Sequence, residues 1–142
     1  MNNGAKTELI DGLNEDLAAE WGTIGRYVYQ SSMAFGLRGA ELRAILEKEV
    51  SDEIGHAKFL SDVIVDLGGD PTTNPRSFDK PTDLKAMIEL DLNLELQDVA
   101  NYSKHAKMAE GLGLTELKVK LEEMAADESR HARDLRRVLK GL

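Results

Sequence analysis

The chain has 142 residues, 31% of them charged, with a formal net charge of −8 and a pI of about 4.9. This length suits one domain, expected to span residues 1–142, and the acidic balance argues against a phosphate-tracking surface or a nucleic-acid partner. The absence of cysteine excludes disulfides, thiolate metal sites and iron–sulfur clusters; with no signal core at Met1–Lys6 and no apolar run long enough to span a bilayer, a soluble cytoplasmic chain with no membrane partner is expected.

Four helical patterns follow in chain order, and nowhere do apolar residues alternate with the two-residue period of a strand, so the fold class is all-α. The first helix, about residues 5–35, carries Ile10, Leu13, Leu17, Glu20, Ile24, Tyr27 and Ser31 on one stripe. The second, about 39–67, carries Leu42, Leu46, Glu49, Glu53, His56, Leu60, Val63 and Leu67. The third, about 82–110, carries Leu84, Ile88, Leu92, Glu95, Val99, Tyr102 and Ala106. The fourth, about 114–140, carries Leu114, Leu117, Leu121, Met124, Glu128, His131, Leu135 and Val138. In each helix, ligand-type side chains occupy positions that packing alone would give to leucine.

Turn residues divide these helices into two hairpins, about 5–67 and 82–140. Gly36 and Gly39 lie midway between Glu20 and Glu53, and Gly111 and Gly113 midway between Glu95 and Glu128, so each hairpin brings its two glutamates to one depth. Between the hairpins, a crossover of about residues 68–81 holds all three prolines. Extended, it reaches roughly 40 Å, about the length of a helix of 28 residues. It can therefore run the length of the bundle and make the second and third helices parallel, which a simple up-down-up-down bundle would not require.

The two hairpins repeat one another. Glu20, Glu53 and His56 return as Glu95, Glu128 and His131, a constant shift of 75 residues (95 − 20, 128 − 53 and 131 − 56). The copy extends to Asp16-Leu17 and Tyr27 against Asp91-Leu92 and Tyr102, and to Asp52-Glu53-x-x-His56-Ala57 against Asp127-Glu128-x-x-His131-Ala132. Four ionised glutamates buried at one depth would repel one another, and burying any one unpaired is prohibitively costly. Two divalent cations turn that conflict into binding: four carboxylates balance four positive charges and two imidazoles complete the donor set. Oxygen and nitrogen donors of this kind suit iron or manganese. A Glu and a His three apart share one helix face and can reach one ion. A lone Glu-x-x-His on a solvated helix would mean little; two copies on apolar stripes point to a two-metal centre, against which stands a structural network of paired acids left by duplication.

Other residues carry narrower expectations. Within each antiparallel hairpin Asp16 lies level with His56 and Asp91 with His131, so each aspartate is either the acceptor that fixes a histidine tautomer or an ordinary exposed helix residue. Tyr27 and Tyr102, two turns beyond Glu20 and Glu95, either bond an outer carboxylate, donate an electron or simply pack. Glu49, one turn before Glu53, is an accessory ligand candidate, although its counterpart is Met124. His105 is expected at the surface or boundary, and Trp21 in packing or a subunit interface.

From about residue 8 to 140 the chain resembles the ferritin-like superfamily, most closely bacterioferritin. The matching segments are Asn14-Glu15-Asp16-Leu17-Ala18-Ala19-Glu20, Asp52-Glu53-x-x-His56-Ala57 and Asp91-Leu92-x-Leu94-Glu95-Leu96. The resemblance implies a ferritin-like four-helix bundle with a long crossover and two iron ions per chain. Glu20, Glu53, His56, Glu95, Glu128 and His131 would be the ligands, with Glu53 and Glu128 bridging and Glu20 and Glu95 terminal. Implied too is ferroxidase chemistry, in which Fe(II) is oxidised by dioxygen or hydrogen peroxide for iron storage or protection from oxidative stress, in a homo-oligomer of at least two chains.

Three departures bear on this. Bacterioferritins bind haem through a methionine directly after the bridging glutamate of the second helix; Ile54 stands there, so no haem is expected. Leu142 follows His131 too soon for the short fifth helix of large ferritin cages, which weighs against a hollow storage shell. Asp98, three residues after Glu95, sits where rubrerythrins place an extra carboxylate used in peroxide reduction, making it a second accessory candidate. A rubrerythrin-like peroxidase or oxidase is the alternative activity, although no rubredoxin-like cysteines are present to deliver electrons. A non-catalytic metal-binding bundle, or the cargo of a larger shell, is the alternative of another class.

Overall fold

The structure is a computed structural model that describes residues 3–142. Its helices are α1 (Asn3–Met33), α2 (Gly36–Asp66), α3 (Leu84–Gly111) and α4 (Thr115–Lys140), and the described residues contain no strand. Each begins or ends within a few residues of where the apolar periodicity places it. The turn from α1 to α2 is only Ala34 and Phe35, because Gly36 takes a left-handed φ of 76° that few other residues would tolerate. Asp83 caps α3, its side chain accepting from the Ala86 amide at 3.0 Å.

Side-chain pairings fix the topology. On facing helices, Tyr27 meets Glu95, Tyr102 meets Glu20 and His105 meets Asp16, so α1 and α3 run antiparallel. His56 meets Asp127 and His131 meets Asp52, so α2 and α4 are antiparallel as well. Since α1 also turns back into α2, helices α2 and α3 are parallel. This is the ferritin-like arrangement with a long crossover.

The crossover is seated along α1 rather than hanging free. It starts where Asn14 binds both the Asp70 carbonyl and the Thr72 amide, and continues where the Trp21 indole donates to the Thr72 carbonyl at 3.0 Å. Trp21 thereby closes the crossover onto the core. The Arg76 amide then reaches the Ala18 carbonyl at 2.8 Å, and further along Lys80 lies over the Tyr29 ring.

The core forms two apolar clusters with a polar layer between them. One gathers Leu9, Leu13, Leu17, Leu60, Ile64, Tyr102, Leu117, Leu121 and Met124; the other gathers Tyr27, Leu42, Leu46, Met87, Ile88 and Leu135. Each fully buried leucine or isoleucine contributes about 1.5–3 kcal/mol, and these clusters are what hold the layer between them together. No helix among the described residues is long and apolar enough to cross a membrane.

Gly22 shows how tightly the crossover is seated, since a Cβ there would lie 2.5 Å from the Arg76 carbonyl oxygen. A glycine-to-alanine change inside a helix ordinarily gains up to about 1 kcal/mol. Here Gly22→Ala should cost about 1–2 kcal/mol through the clash, lowering the thermal midpoint by roughly 3–8 °C. A midpoint that stays level or rises would show that the crossover is not packed at this point.

Candidate metal centre

The polar layer is the set of residues that the repeat singles out. Glu20, Glu53, His56 and Glu128 each place one donor atom within 4.8 Å of the others, and so do Glu53, Glu95, Glu128 and His131. The clusters share Glu53 and Glu128, one residue from each hairpin. All six side chains are at most 4% exposed.

Both imidazoles turn Nδ1 inward. His56 Nδ1 lies 3.3 Å from Glu128 Oε1 and 3.7 Å from Glu20 Oε1. His131 Nδ1 lies 3.1 Å from Glu53 Oε1 and 3.7 Å from both Glu95 Oε2 and Glu128 Oε1. These nitrogens have no hydrogen-bond partner of good geometry, nor does either carboxylate oxygen of Glu53 or Glu128, nor Oε2 of Glu20 or Glu95. Buried polar atoms are almost always satisfied, so a cluster of orphaned donors facing one another fits bound cations. Four carboxylates match the charge of two divalent ions, and the mixed oxygen and nitrogen donors suit iron or manganese.

Electrostatics without metal bear out the strain. Burial, reinforced by neighbouring carboxylates, pushes the Glu53 and Glu128 carboxyls well above the usual range. Burial also opposes charge on His131, but the adjacent Glu53 and Glu95 more than reverse that and push its pKa up to about 11. Glu95 goes the other way: burial is outweighed by the contacts of Glu128, His131 and Tyr27, and its pKa is lowered. Protons on glutamates and histidines thus supply part of the positive charge that two cations would bring.

The outer atoms of the cluster are held by residues from the opposite hairpin. The Tyr27 hydroxyl donates to Glu95 and the Tyr102 hydroxyl to Glu20, so both tyrosines bond an outer carboxylate, one of the roles their spacing allows. The expectation for Asp16 and Asp91 is overturned. His56 Nε2–H instead donates to Asp127 Oδ2, and His131 Nε2–H to Asp52 Oδ2, both at 2.9 Å. With Nδ1 pointing into the bundle, Nε2 points out across the face between α2 and α4, away from α1 and α3 where Asp16 and Asp91 sit. The signal lay inside the repeated Asp-Glu-x-x-His block itself.

Asp16 and Asp91 are buried rather than exposed, with other partners. Asp91 pairs with Arg26 at 2.8 Å, an ion pair almost wholly out of water. Asp16 accepts from His105 Nδ1 at 2.5 Å. His105 is therefore not a surface residue: it is 4% exposed, and Gly12 makes room for it, since a Cβ there would come within 2.5 Å of the ring. Gly12 opposite a histidine was the sequence feature that could have located it, but only once α1 and α3 were known to be antiparallel.

Both accessory candidates are buried beside the cluster. Glu49 lies 3.9 Å from His131 Nδ1, and burial pushes its pKa up to about 8 against the pull of His131. Asp98 lies 3.7 Å from Arg76 of the crossover, leaves Oδ2 without a partner, and is pushed well above the carboxylate range by burial and by Glu20 and Glu95.

Comparison with known proteins agrees with this fold. The family described as ferritin-like domain matches residues 10–142. A crystal structure of ferritin-like, diiron-carboxylate proteins from Bacillus anthracis superposes with a TM-score of 0.94 at 40% identity, covering 98% of this chain and 99% of that one. Bacterioferritin from Mycobacterium tuberculosis gives 0.85 at 29% identity over 94% of this chain and 84% of that one. A dodecameric thioferritin, the bacterioferritin-related protein from Bacteroides fragilis, gives 0.85 at 23% identity over 96% of this chain and 86% of that one. A search of curated proteins finds no match.

The raised pKa values carry a signed pH dependence. Asp16, Asp91 and Glu49 titrate at about 6, about 7 and about 8 in the folded chain, above their ordinary values of 3.8, 3.8 and 4.5. The folded state therefore binds more protons than the unfolded one across that range, and stability falls as pH rises. His131 acts in the same direction: its favourable contribution is complete below 6.5 and is lost as pH rises towards about 11. Thermal midpoints of chelator-treated protein should fall steadily from about pH 5 to about pH 9, and excess Mn(II) should flatten or reverse the slope, because metal ligands bind deprotonated. A chelated protein more stable at about pH 8 than at about pH 5 would contradict these shifts.

Proposed function

The chain belongs to the ferritin-like domain family, and on that footing we propose that it is a di-iron carboxylate ferroxidase acting in iron storage or detoxification. The observation that carries this is the pair of buried donor clusters sharing Glu53 and Glu128. In this reading Glu53 and Glu128, shared by both clusters, would serve two ions, with Glu20 and His56 holding one and Glu95 and His131 the other. Two iron ions held there would give up one electron each, reducing dioxygen to peroxide or peroxide to water.

The protein's part is placement. Tyr27 and Tyr102 fix the orientation of the terminal carboxylates. Asp52 and Asp127 hold the imidazoles with Nε2–H outward, which leaves Nδ1 free to ligate. The apolar clusters on either side exclude water, and protons leave Glu53, Glu128 and the histidines as metal enters. Manganese would occupy the same donors. The dodecameric relative and the exposed apolar side chains Val28, Phe35, Leu37 and Ile54 support self-association into at least a dimer.

One observation favours a second activity. Asp98 lies one turn from Glu95 with a carboxylate oxygen unpartnered. Its recruitment as a further ligand would suit a peroxidase in the rubrerythrin manner.

Fe(II) added anaerobically should bind at about two ions per chain, and mixing with dioxygen or peroxide should give a fast absorbance rise that saturates at that ratio. Glu53→Ala should abolish the fast phase, slowing oxidation by at least about a hundredfold, since it removes a ligand from both positions. Fast oxidation that survives Glu53→Ala would sink the ferroxidase reading. Sustained turnover of peroxide with an external electron donor, lost in Asp98→Asn, would favour the peroxidase instead. Light scattering before and after iron loading distinguishes a hollow storage assembly from a dimer.

A further inference from the structure

Arg130 sits on the outer face between α2 and α4 and touches both aspartates that hold the histidines. Its Nη1 lies 3.2 Å from Asp127 Oδ1, and its Nη2 lies 3.0 Å from Asp52 Oδ2. Those carboxylates accept from His56 and His131 respectively at 2.9 Å. One guanidinium thus closes a chain that runs His56, Asp127, Arg130, Asp52, His131, spanning both halves of the site. The guanidinium is planar and forked, so it can bond two carboxylates at once in a way that an ammonium cannot.

The repeat shows that this element is single. Under the 75-residue shift Arg130 corresponds to Gly55 (130 − 75), which has no side chain, and a Cβ built there would meet nothing within 4 Å. Asp52 and Asp127, by contrast, are both retained. One cation near the pseudo-two-fold axis therefore serves two aspartates. Without it, the contacts left to the two aspartates would be those with the imidazoles they are meant to hold. The two bonds differ in one respect: Arg130 shares Oδ2 of Asp52 with His131, but takes Oδ1 of Asp127 while His56 takes Oδ2.

We propose that Arg130 is the positioning residue for both metal-ligating histidines, acting through Asp52 and Asp127 and coupling the two metal positions. This rests on the reading of the cluster as a two-metal centre. An ion pair as exposed as this one, with Arg130 at 45%, contributes little to global stability. Its effect falls on the imidazoles instead, where outer partners of metal-bound histidines are typically worth about 10–100-fold in affinity.

The test is Co(II) binding followed by visible absorbance, together with hydrogen exchange of the two imidazole Nε2–H protons in Zn(II)-loaded protein by NMR. The wild-type chain should take up two Co(II) ions and show two protected imidazole protons. Arg130→Ala should keep its thermal midpoint within a few degrees, weaken both ions by about tenfold or more, and speed exchange at both histidines. Arg130→Lys restores the charge but not the fork, and should leave one histidine still fast-exchanging. Arg130→Ala with wild-type affinity at both positions, or with only one histidine affected, would overturn the proposal. A wild-type chain that binds fewer than two Co(II) ions would count against the two-metal reading itself, a result that does not depend on Arg130.

Discussion

Everything in this molecule is arranged around a mutual repulsion: four glutamates meet in the middle of an apolar bundle where no water can screen them. At such separations in a medium of low polarity, like charges cost several kcal/mol per pair. The fold does not avoid the conflict by moving the acids outward. It surrounds them with two apolar clusters and leaves them facing one another, two of them with neither oxygen bonded. Such a layer persists only if positive charge enters, whether as protons on Glu53, Glu128 and the histidines or as metal. The stability of the bundle and the loading of its centre are thereby one equilibrium.

Around that centre the structure spends its remaining polar groups on orientation. Glu95 and Glu20 are fixed by tyrosines from the opposite hairpin, and the imidazoles by aspartates from the opposite hairpin. Neither hairpin can therefore orient its glutamates and imidazole alone, which ties assembly of the cluster to docking of the two halves. One turn further out, the halves diverge. Asp91 is held by the guanidinium of Arg26, whereas its counterpart Asp16 is held by the imidazole of His105. The same buried aspartate is thus satisfied in two chemically different ways.

How much of this was legible follows from periodicity. Spacing along one helix is fixed by 3.6 residues per turn, so the donors, their common depth and the need for an end-to-end crossover were readable from residue numbers. Glu20 and Glu53 fall at one level simply because Gly36 lies between them. What could not be read is which side chain lies opposite which across two helices distant in sequence. That register decides whether His56 finds Asp16 or Asp127, and it depends on the rotation of each helix about its own axis. His105 was misplaced for the same reason: its neighbours on α3 give a mixed face, and only the approach of α1 at Gly12 makes its position an interior one.

The departures from symmetry determine what distinguishes the two proposed metal positions. Glu49 corresponds to Met124, which packs in an apolar cluster, and Asp98 corresponds to Thr23, whose hydroxyl turns back to the Ala19 carbonyl. Each break adds a buried carboxylate to one hairpin and gives the other a side chain that asks for no cation. Glu49 adds a further buried carboxyl beside His131 and Glu95, one that burial keeps protonated up to about pH 8. The position formed with those two residues thus has an extra titratable carboxyl beside it, while Asp98 feels Glu20 of the other position as well as Glu95. Asp98 is partly offset by Arg76, which is anchored to α1 through the Ala18 carbonyl. The crossover therefore does more than connect the hairpins: by holding Arg76 where it is, it opposes the burial that keeps Asp98 protonated beside the centre.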